Sequence, residues 1–333
     1  MTAFFLRGLG VALPQTVLHS DEVDAAAGRP RGWLAGRTGV ASRPVCTDET
    51  QEGLAAQAAQ RALEQAGLTP DAIGLLLFCG AVGRQPIPAT APLIARTLGM
   101  ADGQVAAFDV NATCLGFLVG LDVASLMLAA GRARRALVVA AEIASRALPW
   151  QSEPETAALF GDGAAAAILE AGAGAGPASG AIRAVQFETW PSGYDLCELA
   201  SGGTRFSLTQ EPQAFAAGSL FKMDAKALFR LSAEHFPAFV ERLLAKAGWR
   251  REEVDLVIPH QASRLALQHL VRRCGFAAER VVDIVDHSGN QVSASIPIAW
   301  HHARERGLIR QGARLLMLGT SAGLSFGGMA IEA

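Results

Sequence analysis

The chain is short of the residues that usually announce a chemistry. Its 333 residues include only five cysteines and seven histidines. Cys46, Cys79, Cys114, Cys197 and Cys274 stand far apart, with no CxxC pair and no other metal-ligand spacing. No metal site is expected from them, and an odd, scattered set fits reduced thiols in a cytoplasmic protein. Charge of one sign is also missing. The net charge is −2 and acids and bases alternate along the chain, which gives no support for nucleic acid or an anionic membrane as a partner. Half the residues are hydrophobic and mean hydropathy is +0.26, yet no uninterrupted apolar run is long enough to span a bilayer. The opening MTAFFLRGLGVALPQ has no basic region ahead of an apolar block, so no secretory leader is expected. Any histidine-dependent chemistry must draw on His19, His235, His260, His269, His287, His301 or His302.

What is present is an internal repeat. A chain of this length suggests about two domains, or one large duplicated one, and buries about three-quarters of its unfolded surface. AGLTPDAIGLLLFCG (Ala66 to Gly80) can be laid on AGWRREEVDLVIPHQ (Ala247 to Gln261), which sets Cys79 on His260, 181 positions later (260 less 79). GRARRALVVAAE from Gly131 resembles GARLLMLGTSAG from Gly312 at the same offset, and LFGDGAAAAILE resembles LSFGGMAIEA. Each half reads helix, strand, strand-turn-helix, strand, glycine turn, strand. Strands such as IGLLLFCG and ARLLMLG are apolar throughout, so both faces are covered by helices over mixed or parallel sheets. Two such halves packed together predict a five-layered αβαβα arrangement. The halves are expected at residues 1–172 and 219–333. Between them, residues 173–218 are rich in turn residues and lack helical period, which predicts an irregular cap or tunnel wall.

Cys114 stands where an apolar strand (AAFDV) passes through Asn111, Ala112 and Thr113 into a long helical segment. It is either a small buried hydrophobe or a nucleophile on a helix N-terminus, where unpaired N–H groups and the dipole favour thiolate. His260 follows the strand VIP. It is either a satisfied surface histidine or a site residue, placed at a strand end where α/β proteins locate their sites. Asn290, in HSGNQVSASIP after the strand RVVDIV, is either a turn residue or the second half's contribution to a shared centre. His287 is a rival histidine that can simply end its strand. In the glycine turn GTSAGLSFGG, Gly323 can aim a backbone N–H at a substrate oxygen opposite that of Cys114. Glu142 reads as the end of its strand, and the other four cysteines as structural thiols.

Taken in order, DVNATCLGF, FGDGAAAAIL, VIPHQA, HSGNQVSASIP and GLSFGG resemble the thiolase superfamily, and within it the ketoacyl synthase III type of condensing enzyme. The resemblance covers essentially the whole chain. It implies an α/β, duplicated thiolase-like fold, a homodimer and a Cys-His-Asn triad. Carried over, Cys114 accepts the acyl group, His260 and Asn290 support decarboxylation of a malonyl thioester, and the N–H groups of Cys114 and Gly323 form the oxyanion hole. Acyl-CoA and a malonyl thioester are the implied substrates, acyl carrier protein the partner, with no bound cofactor. In RGWLAGRTG, Trp33 would stack on adenine and Arg37 would meet phosphate. Phe221 and Lys222 would lie at a channel mouth, and Lys222 would meet a carrier-protein phosphate or acid. Ile87 stands at a position implied to shape the partner subunit's acyl pocket. The chain departs from the pattern at Pro154 and Glu155, where an Arg-Gly pair is usual, and at Arg264, one helix position from the usual arginine. Non-decarboxylative condensation of two acyl-CoAs, acyl transfer to another acceptor, and a thioester hydrolase using Cys114 and His260 are the competing readings.

Overall fold

The computed structural model describes residues 2–172 and 179–333. The start of the expected insertion, residues 173–178, lies outside the described residues. The first half supplies strands β1 (Thr2–Ala12), β2 (Leu75–Phe78), β3 (Ala106–Asp109), β4 (Arg135–Glu142) and β5 (Gly163–Ala171). The second supplies β6 (Ser179–Thr189), β7 (Leu256–Pro259), β8 (Arg314–Ser321) and β9 (Ser325–Glu332). They hydrogen-bond in the order β7-β8-β9-β6-β1-β5-β4-β2-β3. β2 runs parallel to β3 and β4, and β7 to β8, while the other pairs are antiparallel. The two halves join where β1 and β6 pair over four residues only, Thr2 to Phe5 against Ser179 to Ile182.

Seven helices matter for the site: α1 (Trp33–Thr38), α2 (Gln51–Ala66), α3 (Thr90–Thr97), α4 (Gly116–Ala129), α5 (Ala225–Ala247), α6 (Arg264–Cys274) and α7 (Ser295–Glu305). Their placement follows from strand alternation. Leu75 and Leu77 of β2 join a core shared with α4 and α7, whereas Leu76 and Phe78 face α2 and α3. In the second half Leu315 and Met317 of β8 face that same shared core, and Leu316 and Leu318 face α5 and α6. α4 and α7 each touch strands of both halves. The layers are therefore α2/α3, first-half strands, α4/α7, second-half strands and α5/α6, the expected αβαβα order. The Ala-Gly stops are real: Gly67 and Gly248 both take left-handed φ, 63° and 70°, and end α2 and α5.

Three expectations need correction. β6 holds in the second half the place that β1 holds in the first, so that half begins near residue 179 and not at 219. Its alternating run escaped notice because it sits against a glycine-rich turn. Among the described residues of the expected insertion, those beyond Thr189 are irregular, with a short helix at Pro212–Ala217 and a two-residue pairing of Cys197–Glu198 with Lys222–Met223. The repeat offset also drifts: β2 pairs Leu75 with Ala136, while β7 pairs Leu256 with Leu315, so it falls from 181 to 179. Finally, RVVDIV is no strand. Val281 makes one bridge to Val257, after which Asp283 and Gln261 accept the N–H groups of Val285 and Ile284 and turn the chain away.

Candidate active site

Cys114 lies in a 3-10 turn, Thr113–Leu115, that runs into α4. Asn111 holds the approach. Its amide donates to the Ala81 carbonyl at 2.8 Å and its oxygen accepts the Thr113 N–H at 2.8 Å. Thr113 is thereby kept at φ 47°, unusual for a residue with a branched side chain. The second half repeats the device. Asn290 accepts the Val292 N–H at 2.9 Å, Val292 has φ 50°, and the turn Val292–Ala294 runs into α7. Both pairs, Asn111 with Asn290 and Thr113 with Val292, are 179 apart, and the same offset sets Ser293 on Cys114. Because the Asn290 oxygen is taken, its NH₂ is the group left to donate. The Asn290 backbone is fixed from both sides, giving its N–H to Leu159 at 2.7 Å and accepting from Gly161 at 3.1 Å.

His260 is carried to the same point by β7. Its N–H bonds the Leu318 carbonyl at 2.7 Å, and Gln261 behind it is saturated by Pro259, Val282, Ile284 and Ser295. Gly319 makes the approach possible. A Cβ there would lie 2.8 Å from Leu115 Cδ2 and 3.3 Å from His260 Cβ, so its absence lets His260 pack beside the residue that follows Cys114. The β8–β9 hairpin closes the site. Thr113 and Ser321 share a hydroxyl contact, and Ser321 donates to the Ala112 carbonyl at 2.9 Å. A cavity of about 300 Å³ opens here, lined by Thr113, Leu115, Val119, Phe187, Ser321 and Ala322.

The expected partner of the Cys114 N–H shifts by one residue. The backbone N–H directed at the Cys114 thiol, beside the residue's own, belongs to Ala322 and not to Gly323. Gly323 and Leu324 take φ of 77° and 43°, and this tight reversal sits after the donor. The expected ready thiolate is also corrected. Part of Cys114 remains accessible, yet burial, then the charges of Cys197 and Glu142, push its thiol up to about 12, with the two N–H groups pulling the other way. Burial likewise lowers His260 to about 4. The resting pair is a neutral thiol and a neutral imidazole. Such a site can pass a proton from sulfur to His260, hold an oxyanion between two N–H groups, and offer a second oxyanion the imidazole and the Asn290 amide.

The outer residues separate into groups. The guanidinium groups of Arg29 (4.8 Å) and Arg37 (4.7 Å) both lie over the ring of Trp33 of α1. Arg37 is paired with Glu155 at 3.3 Å, one of the residues that departs from the usual Arg-Gly. Arg264, the first residue of α6, packs against Gly39 just past α1 and pairs with Asp283 at 2.7 Å. Trp33, Arg37 and Arg264 thus share one surface. Phe221 packs edge-on against Phe160 at 5.2 Å, in a cluster that includes Val292 next to Asn290. Lys222 lines a separate surface cavity of about 490 Å³ with Glu153, Asp195 and Glu198. Ile87 is 85% exposed. His287 is exposed and paired with Asp286. Among the described residues no group of three or more metal-ligating side chains converges, and no helix is long and apolar enough to cross a membrane. Sequence reasoning missed Ala322 and Glu142. The signal for Glu142 was an acid closing a strand that is otherwise apolar.

Two family models match: 3-oxoacyl-(acyl-carrier-protein) synthase III over residues 108–188 and its C-terminal part over residues 244–333. A beta-ketoacyl-(acyl-carrier-protein) synthase III of Streptomyces coelicolor is 37% identical over 330 residues, 99% of this chain and 97% of that one. The solved 3-oxoacyl-(acyl carrier protein) synthase III of Pseudomonas aeruginosa superposes with a TM-score of 0.87 at 32% identity, covering 99% of this chain and 98% of that one. That of Aquifex aeolicus gives 0.88 at 31%, covering 99% and 100%. The chain belongs to the 3-oxoacyl-(acyl-carrier-protein) synthase III family.

Proposed function

We propose that the chain is a condensing acyltransferase that loads an acyl group on Cys114 and joins it to a malonyl-derived carbon. The observation that carries this reading is the convergence of both strand-turn-helix junctions. The Thr113–Leu115 turn packs against the Val292–Ala294 turn; one presents a thiol, the other an amide fixed as a donor, and the neutral, buried His260 packs beside Leu115 across Gly319. In the first step the Cys114 sulfur attacks an acyl thioester while His260 takes its proton. The N–H groups of Cys114 and Ala322 hold the carbonyl oxygen, the C–S bond of the donor breaks, and the leaving thiolate recovers the proton. In the second step the malonyl carboxylate leaves as CO₂ and its electron pair passes into the thioester enolate. His260 and the Asn290 NH₂ bind that oxygen. The enolate carbon then attacks the acyl carbonyl, the Cys114–acyl bond breaks, and the sulfur leaves as thiolate and takes a proton from solvent to restore the resting thiol.

Both thioesters bring their own reactivity, so acyl-CoA and malonyl thioester serve as substrates and no bound cofactor takes part in these steps. Acyl carrier protein is the proposed partner that presents the malonyl group. Trp33, Arg37 and Arg264 would receive the nucleotide end of CoA, and Phe221 and Lys222 would border the channel mouth. The edge strand β3, with Ala106 and Phe108 exposed, supports a homodimer joined along that edge. Free thiols support a cytoplasmic setting. The test is labelled acyl-CoA with and without malonyl-carrier protein. Stoichiometric CO₂ release with the condensed product supports the reading. Product without CO₂ would establish non-decarboxylative condensation, and free acid without product would establish a hydrolase.

A further inference from the structure

Glu142 ends β4 and is 3% exposed. One of its oxygens, Oε1, accepts three hydrogen bonds: the Ala81 N–H at 2.7 Å, the Ser293 N–H at 3.4 Å and the Ser293 hydroxyl. Both ends of this link lead to the site. Ala81 carries its carbonyl to Asn111, which in turn holds the Thr113 N–H next to Cys114. Ser293 follows Asn290 by three residues and occupies the second half's equivalent of the Cys114 position. A single buried carboxylate oxygen therefore spans the two junctions, and no other charged side chain makes those contacts among the described residues. The titratable groups that face it are Cys114, from the turn before α4, and Asp162, from the turn before β5.

We propose that Glu142 is a positioning residue for the condensing reaction: it clamps the Cys114 turn of one half to the Asn290 turn of the other. The inference rests on the reading of Cys114 as nucleophile. Burying an acid costs desolvation that an exposed strand end would avoid; the three donors on Oε1 offset part of that cost, and burial still raises the carboxyl to about 7. When ionised, Glu142 opposes thiolate formation at Cys114; when protonated, it keeps the same acceptor oxygen without the repulsion. The clamp is thus preserved across pH while the thiol's ease of ionisation is not.

The test compares Glu142→Gln, which keeps an acceptor oxygen and removes the charge, with Glu142→Ala, which removes both. Glu142→Ala should lower kcat for condensation about 10²-fold, as for a misplacement of about 1 Å, with KM for acyl-CoA little changed, and Glu142→Gln should recover most of the loss. Wild-type kcat in Glu142→Ala, or no recovery in Glu142→Gln, would overturn the proposal. If Glu142→Ala does not fold, Ser293→Ala removes one clamp donor and should lower kcat with unchanged KM; no loss there overturns it equally. Cys114→Ala run alongside keeps the two claims apart: condensation surviving in that variant refutes the nucleophile itself, whatever the Glu142 variants do.

Discussion

Substituting Gly319 by alanine perturbs the site through one methyl group. Gly319 lies inside β8, and the added Cβ meets Leu115 Cδ2 at 2.8 Å and His260 Cβ at 3.3 Å. Real carbon contacts sit near 3.5–4.0 Å, so Leu115 must withdraw by about 1 Å and His260 by a few tenths. Leu115 is 2% exposed and part of the shared core, which leaves it no open direction. Overpacking of this kind costs about 1–3 kcal/mol, or a fall in Tm of roughly 1–4 °C for a chain of this size. The effect on rate should be larger. Leu115 follows Cys114 directly, and a displacement near 1 Å between reacting groups costs about 10²-fold. Thermal unfolding and CO₂ release from malonyl-carrier protein measure the two effects in one preparation. A variant with wild-type Tm and wild-type rate would refute the claim that His260 and the Cys114 turn are packed through this glycine.

Further outcomes follow from the same geometry. Glu155→Ala releases Arg37 from an exposed ion pair and should tighten CoA binding by no more than about 5-fold, read by calorimetry, since such pairs are worth about 0–1 kcal/mol. Between pH 4.5 and 6.5 two large contributions to the wild-type stability oppose each other. The raised carboxyl of Glu142 makes the folded state bind more protons from its usual 4.5 up to about 7, so its contribution is lost as pH rises. The lowered His260, from 6.5 to about 4, makes the unfolded state bind more, so stability is lost as pH falls. In Glu142→Gln the opposing carboxyl is gone, and urea unfolding should show stability climbing more steeply from pH 4 to 6.5 than in the wild type, with His269, His301 and His302, also lowered by burial, acting in the same direction as His260. A flat profile in that variant would contradict the assigned burial. Phe108→Asp places a charge on the open edge of β3 and should convert the proposed dimer to monomer in light scattering; a dimer mass unchanged by the substitution would locate the interface elsewhere.

Much of the site was legible because its parts are local. Asn111, Thr113 and Cys114 stand together in one segment, as do Asn290 and Val292, and the repeat brought the two segments into correspondence. The layers were legible because apolar strands such as Leu75–Phe78 need cover on both faces. Distinctions of a single residue were not. Whether Ala322 or Gly323 turns its N–H toward Cys114 depends on two φ angles, and the drift of the repeat from 181 to 179 depends on loop lengths that similarity averages over. Thiolate at Cys114 was expected from its place before a helix, but burial outweighs the dipole. Glu142 was read as a strand end because its partners, Ala81 and Ser293, are 61 and 151 residues away.

Intact-mass spectrometry after incubation with a series of acyl-CoAs tests the central claim most directly. The wild-type chain should gain the mass of one acyl group, Cys114→Ala should gain none, and malonyl-carrier protein should discharge the adduct with release of CO₂. An adduct that persists in Cys114→Ala, or a wild-type chain that condenses without one, would contradict the account.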